Sequence, residues 1–299
     1  MIDAVALRAL LALADHRTVV AAARALGYTP SAVSQQLKRL EAQVGAELTS
    51  AAGRNVLLTQ AGQTLAREGR DLLTRWSDLE RVVAHLDGPP SGVVSVAAFP
   101  TAVRGLLIPA MVDLRAHAPG LTVRVVESEI TPAIDAVRAG RYDAAIVHGW
   151  HGLATPVPDD LTSDPLGTDR ADLVLRADHP LADEKCLEPH QIVESVWAVQ
   201  PPGTVCHRWF LHMFAGIGRI PREVWEVGEY ETQLGLVREL GAVALIPRLG
   251  LDLDDPLLTR IPVDSPAPVR DIVLVSRPGF HATPLYGALL SSLMGRLAQ

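Results

Sequence analysis

Ser31, Ser34, Gln35, Lys38 and Arg39 fall on one side of a helical pattern that begins at Pro30. Hydroxyls and an amide at its amino-terminal end can meet base edges, and the two cations that follow can meet phosphates. The opposite side carries Val33, Leu37, Leu40 and Val44, an apolar stripe at helical spacing. Thr29 suits the N-cap, and Pro30 the first helical position, where no amide donor is needed. A second group lies at two turns, Ala98-Phe99-Pro100-Thr101-Ala102 and Val199-Gln200-Pro201-Pro202-Gly203-Thr204. Each reads as the end of a strand running into a helix. Ligands of open parallel sheets sit at such ends. The free amides and partial positive charge of a helix start favour a carboxylate. Gly203 lets a backbone approach closely, and Ser128, His148 and Tyr230 adjoin the same turns.

Other chemistry finds little support. There is no glycine-rich loop ending in Lys-Ser/Thr, and no Gly-x-Ser-x-Gly elbow. Gly216-Ile217-Gly218 follows a helix, so it makes a poor dinucleotide fingerprint. His148 and His151 flank Gly149-Trp150, but no Cys or carboxylate stands at ligand spacing. No catalytic residue, metal or cofactor is expected.

These groups need elements to position them. Residues 2–15 read as an opening helix with Leu7, Leu10, Leu11 and Ala14 inward. The next helix carries Val20, Ala23 and Leu26 inward and stops at Gly27. With the Pro30 helix this is a helix-turn-helix, though periodicity alone also fits an alanine-rich helical hairpin. Gly53-Arg54-Asn55 reads as a turn and residues 56–59 as a short strand. Together they make a wing whose tip, Arg54, can reach a phosphate or the minor groove. A long helix then spans about 60–86. Its residues Leu65, Gly69, Leu72, Trp76, Leu79, Val83 and Leu86 form a heptad seam. Asp87 to Gly92 reads as a hinge.

From Val93 onward strands and helices alternate, which predicts parallel units. A Pro- and Asp-rich stretch at 156–164 crosses to a second lobe whose first strand is placed at 171–176. Residues 270–276 and 282–297 return to the first lobe. The domain plan is therefore 1–59, 60–91 and 92–299. Lobe 1 spans about 92–162 and 268–299, and lobe 2 about 163–267.

The string Ala22, Ala23, Leu26, Ser31, Ala32, Val33, Ser34, Gln36, Leu37, Leu40, Glu41, Gly45, Leu48, Gly53, Arg54, Leu58, Thr59, Ala61 and Gly62 resembles the LysR-type transcriptional regulators. That resemblance implies an all-α winged helix-turn-helix with a long linker helix, followed by a two-lobed α/β effector domain like the periplasmic solute-binding proteins. It implies double-stranded DNA as a partner, contacted by Thr29, Pro30, Ser31, Ser34, Gln35, Lys38, Arg39 and Arg54. It also implies a small-molecule effector at Thr101, Ala102, Ser128, His148, Gln200, Gly203, Thr204 and Tyr230, and self-association through the linker helix into dimers and tetramers. One departure stands out. The family usually has an aromatic and then a basic residue just after the position of Leu48, where this chain has Thr49 and Ala51. A looser wing and one lost phosphate contact are expected. Peroxide-sensing members place a reactive cysteine near Cys206 with a resolving cysteine downstream. Here Cys186 lies upstream and none follows, so a packed thiol is the expectation.

Composition bounds the rest. The 299 residues are 48% hydrophobic and 20% charged, which is globular. A net charge of −7 argues against a DNA binder until its distribution is read. Up to Thr59, six cations oppose four acids, an excess of two, so the remainder carries −9. No secretory leader and no membrane segment are read, and two cysteines make no disulfide framework. A cytoplasmic location is expected. The rival from another class is a cytosolic small-molecule binding or enzymatic module with a helical assembly arm and no DNA role.

Overall fold

The computed structural model describes residues 2–52, 55–84, 89–249 and 254–297. The chain forms two compact units, Met1–Ala84 and His85–Gln299. Among the described residues no helix is long and apolar enough to cross a membrane.

The first unit holds α1 (Ala4–His16), α2 (Val19–Leu26), α3 (Pro30–Val44), β1 (Thr49–Ala52), β2 (Asn55–Leu58) and α4 (Gln60–Ala84). Asp3, Thr18 and Thr29 cap the first three helices with side-chain oxygens, and Gly27 stops α2 in the left-handed region. Leu7, Leu10, Leu13, Ala22, Ala23, Val33, Leu37, Leu40 and Leu48 make one core. Two apolar expectations fail. Val20 is 67% exposed and Val44, the last residue of α3, is also exposed. In the eight-residue α2 the close-packed face is Ala22-Ala23, and Val20 lies off it. At the end of α3 no neighbour remains to cover Val44.

β1 and β2 pair antiparallel, Thr49 opposite Leu58. Glu41 ties this wing to α3. Its Oε1 accepts from the Leu48 and Thr49 amides and from the Thr49 hydroxyl, each at 2.9 Å. The hydroxyl that replaces the expected aromatic thus holds the strand by a charge-assisted bond. Arg54 and the turn it was placed on lie outside the described residues. α4 starts pressed onto the wing: a Cβ on Gly62 would stand 2.0 Å from the Leu48 carbonyl oxygen.

The heptad seam of α4 divides. Leu65 packs on the head's core, and a Cβ on Gly69 would meet the Leu7 side chain at 2.6 Å. Those positions serve the head itself. Leu72, Trp76, Leu79 and Val83 are each more than half exposed. Leu86 lies outside the described residues.

The second unit begins with β3 (Gly92–Ala98). It continues through α5 (Pro100–Ala102), a π turn (Val103–Leu107) and α6 (Ile108–His117). The sequence reads Pro100–His117 as one helix, but it is interrupted because Pro109 has no amide to donate to the Gly105 carbonyl, and its ring crowds that oxygen. There follow β4 (Leu121–Glu127), α7 (Ile130–Arg138), β5 (Ala144–Trp150), β6 (Thr162–Arg176), α8 (Pro189–Ile192), β7 (Trp197–Val199), α9 (Val205–Ala215), β8 (Val224–Glu226), α10 (Tyr230–Leu240), β9 (Val243–Pro247), β10 (Leu258–Ile261), β11 (Val269–Ser276), α11 (Pro278–His281) and α12 (Pro284–Leu293). The strands form one sheet in the order β4-β3-β5-β11-β6-β9-β7-β8, with β10 also on β6. β3 pairs parallel with β4 and β5, and β7 with β8 and β9.

β6 departs from the expectation. It starts at Thr162, not at Ala171. Its first half pairs antiparallel with β11 and its second half with β9 and β10. The change of lobe therefore falls near Arg170, inside a continuous strand. Pro165 and Gly167 hid the first half, and the pairing is irregular there, with a register shift between Ile272 and Val273.

Removing Glu41 should loosen the wing. Glu41→Ala leaves three donors without an acceptor and should cost about 2 kcal/mol locally. Glu41→Gln keeps one carbonyl oxygen and should cost less. Hydrogen exchange of the Leu48 and Thr49 amides checks this: protection should drop in the alanine variant and be retained in large part with glutamine.

Candidate functional site

Two sites emerge, one in each unit. On α3, Thr29 Oγ1 accepts from the Ala32 amide at 3.2 Å and lies 3.0 Å from Ser31 Oγ. Ser34 donates to the Pro30 carbonyl at 3.0 Å. Thr29, Pro30, Ser31, Gln35 and Lys38 are exposed, and Ser34 is half-buried. Arg39 differs from the expected phosphate contact, because its Nη2 sits 3.0 Å from Asp3 Oδ2. An exposed pair of this kind is worth no more than about 1 kcal/mol, so a phosphate can displace it.

The second site is a cavity of about 390 Å³ between the lobes of the second unit. Its floor is built by strand register. Arg270 on β11 stands opposite Asp169 on β6 and opposite Trp150 on β5. Arg270 and Asp169 are both buried. Arg270 Nε and Nη2 donate to Asp169 Oδ2 at 2.9 and 2.7 Å, and Nη2 also donates to Thr101 Oγ1 at 2.9 Å. Asp169 Oδ1 accepts from the Leu249 amide at 3.0 Å. The guanidinium carbon lies 5.0 Å from the Phe99 ring centre and 5.5 Å from that of Trp150. Such cation–π contacts offset part of the desolvation of a buried charge. Among the described residues Nη1 has no hydrogen-bond partner, and Arg270 lines the cavity.

Of the expected effector residues, Thr101, His148, Gln200, Thr204 and Tyr230 line this cavity. Three do not. Ala102 is buried in the lobe-1 core, and its amide donates to the Phe99 carbonyl. The Val103 amide is taken by the same carbonyl, so the amides after Thr101 are spent on the helix turn. The Ser128 hydroxyl donates to the Glu129 carbonyl, away from the cavity lining. Gly203 is exposed with φ +90° and is not among the lining residues; a Cβ there would meet no protein atom, so the turn uses its backbone freedom.

The remaining groups have defined polarity. The Thr204 hydroxyl accepts from the His207 amide and donates to the Pro201 carbonyl, so it caps the helix and its proton is taken. Gln200 Nε2 donates to the Gly228 carbonyl at 2.8 Å. Tyr230 donates to Cys206 Sγ at 3.7 Å. Burial pushes the Tyr230 hydroxyl well up in pKa, and the neighbouring thiol adds to this. Burial also pushes the Cys206 thiol up, against the opposing pull of Arg270. The helix start therefore does not make Cys206 a thiolate. His148 is buried edge-on between Phe99 and Trp150. Burial, then the Arg270 charge, holds its pKa well below the ordinary value. Its Nδ1 has no partner among the described residues.

Arg270, Glu127, Glu129 and Glu229 were missed as lining residues. Arg270 had a legible signal: it shares the alternating phase of Ile272 and Leu274, both buried, so a charge was being placed inside. Nothing local to the glutamates distinguishes them from surface acids.

A short-turned helix pair with a wing, and a two-lobed module with a cavity at its strand ends, define a DNA-binding head and a solute-binding unit. Residues 5–63 match the family described as bacterial regulatory helix-turn-helix protein, lysR family. Residues 87–298 match the LysR substrate binding domain. The regulator GbpR of Rhizobium radiobacter is 31% identical over 80% of this chain and 80% of its own. The hydrogen peroxide-inducible genes activator of Haemophilus influenzae is 25% identical over 95% of this chain and 93% of its own. A full-length OxyR variant from Pseudomonas aeruginosa superposes with a TM-score of 0.78 at 19% identity, over 98% of each chain. That likeness is one of fold. The chain belongs to the LysR family of DNA-binding transcriptional regulators. It is a regulator with an effector-binding domain, not an enzyme, and the rival without a DNA role falls.

His148 gives a pH test. In the unfolded chain the imidazole takes up a proton near ~6.5, while the buried native one does not. The unfolded state then holds more protons, so stability must fall as pH drops through that value. The loss is at most about 2 kcal/mol at pH 5. Thermal unfolding at pH 7.5 and 5.0 should show this drop, and His148→Gln should reduce it. It should not abolish it, because burial also lowers the pKa of His179.

Proposed function

We propose that two copies of the chain bind an interrupted dyad, each placing α3 in one of two successive major grooves. Ser31, Ser34 and Gln35 face bases, and Lys38 and Arg39 face phosphates. Arg54 supplies a further phosphate contact from the wing. The exposed stripe of Leu72, Trp76, Leu79 and Val83 on α4 supports a dimer seam. The dimer sets half-site spacing, and pairs of dimers assemble into tetramers in the cytoplasm.

The effector is a small metabolite whose carboxylate binds at the floor of the interlobe cavity, beside Thr101. The observation that carries this is the buried Arg270, which lines the cavity together with Thr101 and is hydrogen-bonded to it. Arginine is the preferred partner of a carboxylate. This replaces the expectation that hydrogen bonds and the helix dipole alone would hold the ligand. Closing the lobes on the effector repositions the heads. By linkage, DNA must change effector affinity by the same factor.

Two experiments test the reading. Gln35→Ala should relax base preference at one operator position by about 1–3 kcal/mol, read by binding to a substituted operator series. Leu72→Asp with Leu79→Asp would place unpaired carboxylates in the seam. Sedimentation should then show monomers where the parent dimerises, and operator affinity should collapse. Dimers of unchanged strength would overturn the seam.

A further inference from the structure

The interlobe cavity is electrically two-ended, and we infer that its ligand is a zwitterion, a free amino acid. This deepens the carboxylate reading above and rests on it.

The argument follows the direction of each hydrogen bond. Thr101 Oγ1 accepts from Arg270, so its own proton must point away from that arginine. Arg270 also lines the cavity and brings its charge beside it. The floor therefore offers donors and a positive charge. The lobe-2 wall has the opposite sense. Gln200 is oriented by one N–H donated to the Gly228 carbonyl, which fixes its Oε1 as an acceptor on this wall. Tyr230 has spent its proton on Cys206, which leaves its oxygen as an acceptor.

Charge follows the same division. Glu127, Glu129 and Glu229 line the cavity and are exposed at its rim, where the half-buried Arg104 also lines it, so acids outnumber cations three to one there. Arg270 is already matched by Asp169. A ligand that is only an anion would satisfy the floor and be repelled by the rim. A ligand that is only a cation would meet the guanidinium of Arg270 at the floor. An ammonium a few bonds from a carboxylate satisfies both ends. His148 also lines the cavity, and burial keeps its imidazole neutral, so it adds charge to neither end. The cavity, about 390 Å³, lies near the lower end of ligand pockets, roughly 300–1,000 Å³, which suits one small molecule.

Calorimetric titration of the full chain with the twenty common amino acids decides the matter. Each one that binds is paired with its deamino carboxylate and its decarboxylated amine. At least one amino acid should bind, and both partners should bind about tenfold or more weakly. Glu129→Gln with Glu229→Gln should weaken the amino acid by a similar factor and leave the deamino carboxylate unchanged or tighter. Thr101→Val should weaken the amino acid and the deamino carboxylate alike. A deamino carboxylate that binds as tightly as its amino acid overturns the zwitterion and leaves the carboxylate site standing. An amine that binds as tightly as its amino acid overturns the carboxylate site. Silence from the whole panel overturns the amino-acid assignment.

Discussion

The effector unit depends on one buried ion pair. Asp169 and Arg270 face each other across β6 and β11, the strands on which the two lobes meet. Burying two charges is expensive, and such a pair persists only when its remaining hydrogen-bonding positions are filled. Here they are filled from both sides: Thr101 at the start of α5 in lobe 1, and the Leu249 amide beyond β9. Two aromatic faces cover the guanidinium. Arg270 and Thr101 both line the cavity. The same pair that fixes how the lobes join is therefore the group that can sense a ligand between them.

This arrangement explains why the cavity is polar at its floor yet enclosed by rings. Phe99, His148 and Trp150 pack edge to edge in lobe 1 and at the sheet's centre, and Trp150 meets Trp209 of α9. In such surroundings the effective dielectric is low, so the few polar groups present act strongly. It also explains why neither Cys206 nor Tyr230 is ionised: both sit behind the same apolar wall. The cysteine's place at the start of α9 is offset by its burial.

The head is governed by shorter-range constraints. Three helices share a small aliphatic core, and Glu41 converts the end of α3 into an anchor for the wing. α4 has two tasks along its length. Its first turns are shaped to fit the head, with Gly62 under the Leu48 carbonyl and Gly69 over Leu7. Its later turns present apolar side chains that the head cannot reach. A heptad repeat records both uses in one pattern, and so the pattern by itself could not divide them.

The sequence by itself determined the elements whose forces are local. Thr29 as a cap, Pro30 at the first helical position and the left-handed Gly27 set the end of α2 and the start of α3. Alternating strands and helices determined the parallel pairing of β3 with β4 and β5. Thr101 and Gln200 were legible as cavity residues because strand ends in parallel sheets are where ligands sit. Tertiary structure alone decided what those residues can do. Thr101 and Arg270 are 169 positions apart, and only the register of β11 between β5 and β6 brings the guanidinium to the hydroxyl. Ala102, Ser128 and Gly203 looked equivalent to their neighbours in the chain. Rotation about a helix axis or a turn sent them elsewhere. The first half of β6 was hidden for the same reason: Thr162 to Arg170 has no strong strand pattern of its own. It becomes a strand because β11 supplies the hydrogen bonds.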